Sequence, residues 1–158
     1  MPEPAPTPPL RTTLDLRWAD TDQYRHVNNV TAVRLAEEAR IRLLGLPEKP
    51  EHFPPGAPPV LAVLGTDTFT MTVSQRFEYT AEMPYAGQSV LAEVWLSKIG
   101  SRSLTMDCRV GDGAGLTYFI ARVSVVIMDL AAHAPRALTA SETEHLREYR
   151  GEPLVFRD

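Results

Sequence analysis

The chain has 158 residues, of which 44% are hydrophobic and 23% are charged, and its formal net charge is −4. These values are typical of one soluble globular domain with a substantial core. The mild net acidity provides no overall attraction to nucleic acid or to an anionic membrane surface. No apolar run approaches the roughly 20 residues that a membrane-spanning helix requires, and the N-terminus has no features of a secretory signal. We therefore expect a cytoplasmic protein with no nucleic-acid partner and no membrane partner.

Proline content separates a tail from the main domain. Residues 1–10 contain five prolines and predict an extended, flexible tail. Residues 11–150 predict one domain without internal repeats, and residues 151–158 predict a C-terminal tail. A second proline-rich stretch, 47–59, predicts a loop. Its HFPPGAPPV segment is superficially similar to the His-Phe-Pro motif of hydroxyacyl-carrier-protein dehydratases. In those dehydratases the motif comes before a central helix, whereas His52 comes after the helical pattern of this sequence. A surface turn is therefore the better explanation for this segment.

Hydrophobic periodicity predicts one long helix among several strands. Helical spacing extends from about residue 28 to residue 46, with Asn28 or Asn29 as the N-cap and Gly45 at the end. Alternating patterns between turn signals predict strands at 10–18, 59–64, 68–80, 89–99, 101–110 and 116–130, and a short final helix at 139–149. Short connections favour antiparallel neighbours. We therefore expect an α+β domain in which a curved antiparallel sheet of about five to six strands wraps one central helix.

The single cysteine, Cys108, lies in one of the predicted strands. It alternates with Leu104, Met106 and Val110, which indicates a buried, core-facing position. One cysteine cannot form an internal disulfide, and no Cys/His cluster has zinc-ligand spacing. We therefore expect Cys108 to pack in the core, and we expect no metal site.

The stretch RWADTDQYRHVNNV, residues 17–30, places several polar side chains directly before the long helix. A helix N-terminus presents unpaired N–H groups and the positive end of a dipole, so it can polarise a carbonyl oxygen. A carboxylate on the preceding loop, from Asp20 or Asp22, can face the same point. Together with the amides near Asn29 it would form a minimal hydrolytic site. Asp and Asn also favour turns and caps, so spacing alone leaves a purely structural role open.

Residues 17–44 resemble the opening motif of the 4-hydroxybenzoyl-CoA thioesterase-like family, whose members have the hotdog fold. That motif commonly runs R-[WY]-x-D-x-D-x-x-G-H-V-N-N and is followed by a helix that carries E-x-A-R. Later segments, at 77–90, 98–110 and 121–139, match the family's later strands in kind and order. The matching residues of the first motif are Arg17, Trp18, Asp20, Asp22, His26, Val27, Asn28, Asn29, Glu37 or Glu38, Ala39 and Arg40.

The resemblance implies roles for residues of this motif. Asp22 corresponds to the catalytic aspartate, which acts either as a general base toward water or as a nucleophile toward the thioester. A backbone N–H at the start of the helix, near Asn29, polarises the thioester carbonyl. Asp20 organises the turn, and His26 orients the loop. We expect His26 and Asn28 to contribute to substrate binding.

The sequence departs from the family pattern at three positions. Arg25 replaces the usual glycine before the histidine, so the turn must either avoid a left-handed conformation or be strained. Ala32 and Leu35 stand where tyrosines often lie on the central helix. These smaller side chains predict a roomier or more apolar acyl pocket.

Cations and hydroxyls cluster around the predicted turn at Gly100. Lys98, Ser101, Arg102 and Ser103 suit phosphate oxygens, and related thioesterases often contact CoA from strands of a neighbouring subunit. A solvated hairpin tip explains the same residues equally well. One helix cannot cover every long strand, so a homodimer or a homotetramer is expected.

The sequence therefore predicts an acyl-CoA thioesterase that needs no metal or organic cofactor. No nucleotide-binding glycine motif and no serine-hydrolase elbow occurs in the chain. Two alternatives stay open: a thioesterase for acyl-carrier protein and a non-catalytic module that binds acyl-CoA.

Overall fold

The computed structural model describes residues 7–49 and 60–158. The first six residues of the predicted tail, and the turn that contains His52, lie outside these ranges. Within them, no helix is long and apolar enough to cross a membrane. The helices and strands are β1 (Leu10–Asp15), α1 (Asn29–Leu44), β2 (Thr68–Tyr79), β3 (Ser89–Ile99), β4 (Ser103–Gly111), β5 (Thr117–Asp129), β6 (Ala134–Pro135) and α2 (Ala140–Arg147).

The strands form one antiparallel sheet in the order β1-β3-β4-β5-β2, and the short β6 pairs with β5. The pairing register shifts within β2, between Thr72 and Ser74, and within β3, between Leu96 and Lys98. Such bulges bend a strand and increase its twist. The predicted α+β architecture, one long helix against a curled antiparallel sheet, is confirmed.

The central helix α1 begins and ends where local signals predict. Asn28 is the N-cap, because its side chain accepts a hydrogen bond from Val30 N at 2.9 Å. Gly45 ends the helix with a φ of 87°, a value that favours glycine. Buried Leu35, together with buried alanines on the same face, packs toward the sheet, where α1 contacts β1, β3 and β4.

Side chains alternate between the two faces of the sheet. On β4, Leu104, Met106, Cys108 and Val110 belong to the core that faces α1. The predicted core position of Cys108 is thus confirmed, and burial raises the pKa of its thiol to about 12. The face opposite α1 is called the outer face below.

Two expectations about local structure are wrong. Residues 59–64 were expected to be a strand, but Val60–Leu64 form a 3-10 helix that buries Val60, Leu61 and Leu64. A short apolar run can form either a strand or a helix. Here the buried residues are three and four positions apart, which is the spacing of one helical face. The first strand ends at Asp15 and not at residue 18, because Trp18–Asp20 form a 3-10 turn. The predicted final helix is confirmed, with Thr139 as its cap.

Candidate active site

Asp22 organises the loop before α1 through its own carboxylate. One oxygen, Oδ1, accepts hydrogen bonds from Tyr24 N at 2.8 Å and from His26 N at 3.2 Å. The backbone N–H of Asp22 in turn donates to His26 O at 2.8 Å. The carboxylate is therefore fixed through one oxygen. Among the described residues, no donor is bonded to Oδ2.

Arg25 adopts a left-handed conformation with a φ of 61°, although it has a side chain. Its N–H donates to Asp22 O at 3.1 Å, and its carbonyl accepts from Tyr85 N at 3.2 Å. The neighbouring Val27 N donates to Met83 O at 2.8 Å. The loop is thus tied to the segment between β2 and β3, and these bonds hold Arg25 in a conformation that is unfavourable for any residue except glycine.

Asp20 ties the same loop to the helix. Its side chain is only 2% exposed and accepts hydrogen bonds from Arg17 N at 2.7 Å and from Arg34 Nη2 at 2.9 Å. Burial alone would raise the pKa of Asp20. Hydrogen bonds from Arg17 and the positive charge of Arg34 outweigh burial, so the pKa lies below its usual value. Asp20 is therefore a buried structural anion.

The first turn of α1 leaves backbone donors available, among them the N–H of Asn29. Asn28 Oδ1 accepts from Val30 N, and the Asn28 carbonyl accepts from Ala32 N at 3.1 Å. Within residues 7–49 and 60–158, the N–H of Asn29 has no acceptor. A free N–H at the positive end of a helix dipole can bind an anionic or carbonyl oxygen.

Asp22 and Asn29 line one cavity of about 340 Å³ between the start of α1 and the strands β2 and β5. The residues that line the cavity carry carboxylate, imidazole and amide groups as well as apolar and aromatic side chains. Its volume falls within the range of small-molecule sites. The lining residues are Asp22, His26, Val27, Asn29, Ala32, Tyr79, Thr80, Ala81, Glu82, Met83, Tyr118 and Phe119.

Several lining residues were not predicted from the sequence. The Tyr79 hydroxyl donates a long hydrogen bond of 3.4 Å to Asn29 O, and burial raises the pKa of Tyr79. Glu82 lies 3.6 Å from the imidazole Nε2 of His26. Tyr118 contributes a second aromatic ring from the start of β5. No local pattern marks the two tyrosines, because the antiparallel pairing of β2 with β5 brings this end of both strands to the loop.

The structure brings together only part of the predicted site. Asn28 caps the helix and is not among the cavity-lining residues. Ala32 lines the cavity, whereas Leu35 is fully buried in the core. The strands β2 and β5, and not the helix, supply the aromatic side chains Tyr79, Tyr118 and Phe119.

The cluster at Gly100 lies at the other end of the sheet. Ser103 is paired with Val126, seven residues along β5 from the cavity-lining Phe119, which corresponds to about 23 Å. Lys98 lies near the end of β3, and Ser101 and Arg102 lie in the adjoining turn, so none of the four lines the cavity of its own chain. Their role in CoA binding remains a prediction. In the part of the chain that the structure describes, no group of three or more His, Cys, Asp or Glu side chains has metal-binding geometry.

Comparison with protein families matches residues 16–147 to the model of the thioesterase-like superfamily. The chain belongs to this superfamily. The match begins just after β1 and covers the loop, the central helix and the strands β2 to β5 of this thioesterase-like protein. A comparison with curated proteins found none that matches the sequence.

Solved structures of thioesterases have the same fold. A predicted thioesterase from Bacillus stearothermophilus is 22% identical, with a TM-score of 0.72 over 90% of this chain and 97% of its own. A thioesterase from Thermus thermophilus, complexed with coenzyme A and Zn, is 23% identical, with a TM-score of 0.67 over 98% and 100%. A DHNA-CoA thioesterase from Staphylococcus aureus is 13% identical, with a TM-score of 0.65 over 85% and 86%. These likenesses establish the hotdog fold of the thioesterase-like protein.

Proposed function

We propose that this protein hydrolyses the thioester of an acyl-CoA to a free acid and CoA. The observation that carries the proposal is that one cavity is lined by both Asp22, whose Oδ2 has no bonded donor, and Asn29, whose N–H has no acceptor among the described residues. A base or nucleophile opposite an oxyanion-stabilising donor is the minimum that acyl transfer to water requires. Coenzyme A in the relative from Thermus thermophilus supports CoA as the thiol carrier.

In the proposed reaction, the thioester carbonyl oxygen accepts a hydrogen bond from Asn29 N–H, which stabilises the negative charge that develops during attack. Asp22 acts through Oδ2, since its other oxygen holds the loop. It either removes a proton from the attacking water or attacks the carbonyl carbon itself and forms an anhydride that water then hydrolyses. The thiol of CoA leaves in both routes. A carboxylate, a helix amide and water carry out this chemistry, so we propose no organic cofactor and no metal.

The remaining lining residues suit substrate placement. His26 is bonded through its backbone to Asp22 and lies near Glu82, so we propose that it orients the loop and contacts the substrate. Asn28 contributes indirectly, because its cap determines where α1 begins. The apolar and aromatic part of the cavity is the proposed acyl site.

We propose a second copy of the chain as the protein partner. The strand β2 forms one edge of the sheet, and its Met71 and Val73 are exposed apolar residues. A long, exposed edge strand favours pairing with another strand. Tyr79 lies on this strand and lines the cavity, so pairing here would bring a second chain close to the site.

The test compares Asp22→Asn with Asp112→Asn. Asp112 Oδ1 accepts hydrogen bonds from Ala114 N at 2.8 Å and from Leu116 N at 2.9 Å, the same two- and four-residue pattern that Asp22 shows, but outside the cavity. Asparagine retains the acceptor oxygen in both loops. Release of free thiol from short, long, branched and aromatic acyl-CoAs should fall about 10²–10⁴-fold in kcat for Asp22→Asn and remain unchanged for Asp112→Asn.

Each alternative predicts a different result of this test. Near-normal turnover by a folded Asp22→Asn variant would refute the assignment of the catalytic carboxylate. Thiol release from acyl-carrier protein alone would indicate the carrier-protein thioesterase. Saturable binding of acyl-CoA without thiol release would indicate the non-catalytic module.

A further inference from the structure

The hydroxyl of Tyr79 lies beside the start of α1. It donates a hydrogen bond of 3.4 Å to Asn29 O, and Tyr79 lines the same cavity as Asp22. Phe77, two positions earlier on β2, packs against the core, so strand alternation turns Tyr79 toward α1 and away from the outer face. The ring of Tyr79 also contacts that of Phe119, with 6.4 Å between the ring centroids. The sheet therefore positions the ring, and the hydroxyl reaches the end of the helix that carries the Asn29 N–H.

The bond from Tyr79 to Asn29 O is weak and can be exchanged at little cost. Its length of 3.4 Å exceeds the range of about 2.5–3.0 Å that is usual for hydroxyl donors. Asn29 is the first residue of α1, so the helix pattern pairs its carbonyl with the N–H of Val33. A carbonyl that keeps its helical partner loses little when the hydroxyl turns to another acceptor. The Tyr79 hydroxyl is therefore available to a ligand oxygen.

The Tyr79 hydroxyl and the Asn29 N–H are near enough to bind one oxygen together. The N and O atoms of one helical residue are about 3.5 Å apart, so the hydroxyl lies at most about 7 Å from Asn29 N. This limit applies only if the three atoms lie on one line, and any bend brings the donors closer. Two hydrogen bonds to a shared oxygen span up to about 6 Å. The separation therefore suits a single carbonyl oxygen between the two donors.

The other hydroxyl and imidazole groups of the cavity do not contact the helix start. Thr80 Oγ1 donates to Thr117 O at 2.6 Å. The imidazole Nε2 of His26 lies 3.6 Å from the carboxylate of Glu82. Within the described ranges, no hydrogen bond joins the Tyr118 side chain to α1. Tyr79 is therefore the lining residue whose hydroxyl contacts the helix start.

We propose that Tyr79 is a second catalytic donor, whose hydroxyl joins the Asn29 N–H in binding the thioester carbonyl oxygen. The inference rests on the proposed thioesterase function and adds a residue to its mechanism. The carbonyl double bond opens when water or Asp22 attacks, and it forms again when the CoA thiolate leaves. In between, two donors stabilise the negative oxygen better than one. The hydroxyl keeps its proton throughout, and burial raises the pKa of Tyr79, so it is a donor at neutral pH.

The test compares Tyr79→Phe with Tyr85→Phe. Phenylalanine at position 79 removes the hydroxyl and retains the ring, whereas Tyr85 packs against the core and does not line the cavity. Thiol release is measured with the acyl-CoA that the unmodified protein hydrolyses fastest. For Tyr79→Phe, kcat should fall about 10²-fold while KM changes less than about threefold, because the charge on the oxygen develops only in the transition state. Tyr85→Phe should match the unmodified protein.

Three results of this comparison would overturn the inference. The first is an unchanged kcat in a Tyr79→Phe variant that melts cooperatively. The second is a rise in KM alone, because the hydroxyl would then bind the ground state and the transition state equally. The third is an equal loss of kcat in Tyr85→Phe, which would reflect the removal of any tyrosine hydroxyl. Each of these results leaves the proposed function intact, since the unmodified protein still hydrolyses its substrate.

If the unmodified protein hydrolyses no acyl-CoA, the proposed function fails, and a pair of CoA analogues decides the inference by binding alone. One analogue has a methylene group in place of the thioester sulfur, so it keeps the carbonyl and cannot be hydrolysed. The other is an S-alkyl-CoA of the same chain length, which has no carbonyl. Calorimetry should show that Tyr79→Phe lowers affinity about fivefold for the ketone alone. An unchanged affinity for the ketone, equal losses for both analogues, or no binding of the ketone by the unmodified protein would overturn the inference.

Discussion

The left-handed conformation of Arg25 leads to a stability prediction that separates the backbone from the side chain. Arg25 has a φ of 61°, and its side chain is exposed, so replacing it with alanine removes the side chain but retains the strained backbone. Replacement with glycine removes the side chain and the strain together. The difference between Arg25→Gly and Arg25→Ala therefore isolates the backbone contribution.

The magnitude of this difference follows from two opposing effects. A left-handed conformation costs an L-residue about 1–2 kcal/mol, which glycine avoids. Glycine loses more conformational entropy on folding, which costs about 0.5–1 kcal/mol relative to alanine. Arg25→Gly should therefore unfold with a free energy about 0.5–1 kcal/mol higher than that of Arg25→Ala.

The assay is urea denaturation at fixed protein concentration, with thermal melting as a second measurement. A free-energy difference of this size in a chain of this length corresponds to about 1–4 °C in Tm. Concentration must be held constant because association shifts apparent stability. A glycine variant that is equal to or less stable than the alanine variant would refute the idea that Arg25 is strained. The hydrogen bonds of residue 25 are made by its backbone atoms, which both variants retain, so thiol release should change little.

Three further predictions concern other parts of the molecule. The pKa of Asp20 is lowered from 3.8, so its contribution to stability is present above that value and is lost as the pH falls through the folded pKa. Asp20→Asn should therefore lower the free energy of unfolding by about 1–3 kcal/mol at pH 7. An equal loss at pH 3 would show that the ionised carboxylate is not the source of this stability. Cys108, with a pKa of about 12, should react with a thiol reagent at pH 8 about 10³-fold more slowly in the folded protein than after unfolding, and equal rates would show that it is accessible. Val73→Lys should halve the solution mass if β2 pairs with a second copy, whereas Val155→Lys, at a position that is 89% exposed near the C-terminus, should not change it.

Features of the fold that depend on neighbours in sequence could be predicted, and features that depend on distant pairing could not. Asn28 and Gly45 marked the ends of α1 because a cap acts within one helical turn. Val60–Leu64 was predicted wrongly because five apolar residues fit a strand or a helix until their neighbours in space are known. Tyr79 and Tyr118 were missed for the same reason. Their place in the cavity follows from the register of β2 with β5, which no local pattern encodes.

The C-terminal residues 151–158 show the same limit more strongly. Pro153 and exposed Val155 give these residues the composition of an unstructured tail. Leu154 is held because Asp107, 47 positions earlier in the chain, needs a further hydrogen-bond donor. The residue that requires the contact and the residue that supplies it have no relation in sequence, so only the folded sheet connects them.

The two aspartates before α1 illustrate why spacing alone left the site ambiguous. Asp20 and Asp22 carry the same side chain and lie nine and seven residues before Asn29, the first residue of α1. In the fold, Asp20 is buried and bonded to Arg17 and Arg34, so any proton that it accepts would disrupt two charged contacts. Asp22 uses a single oxygen for its loop and lines the cavity beside Asn29. A carboxylate that already neutralises two cations cannot readily act as a base, whereas one that has an oxygen without a bonded donor can. The geometry therefore favours Asp22 for reasons that are independent of family resemblance.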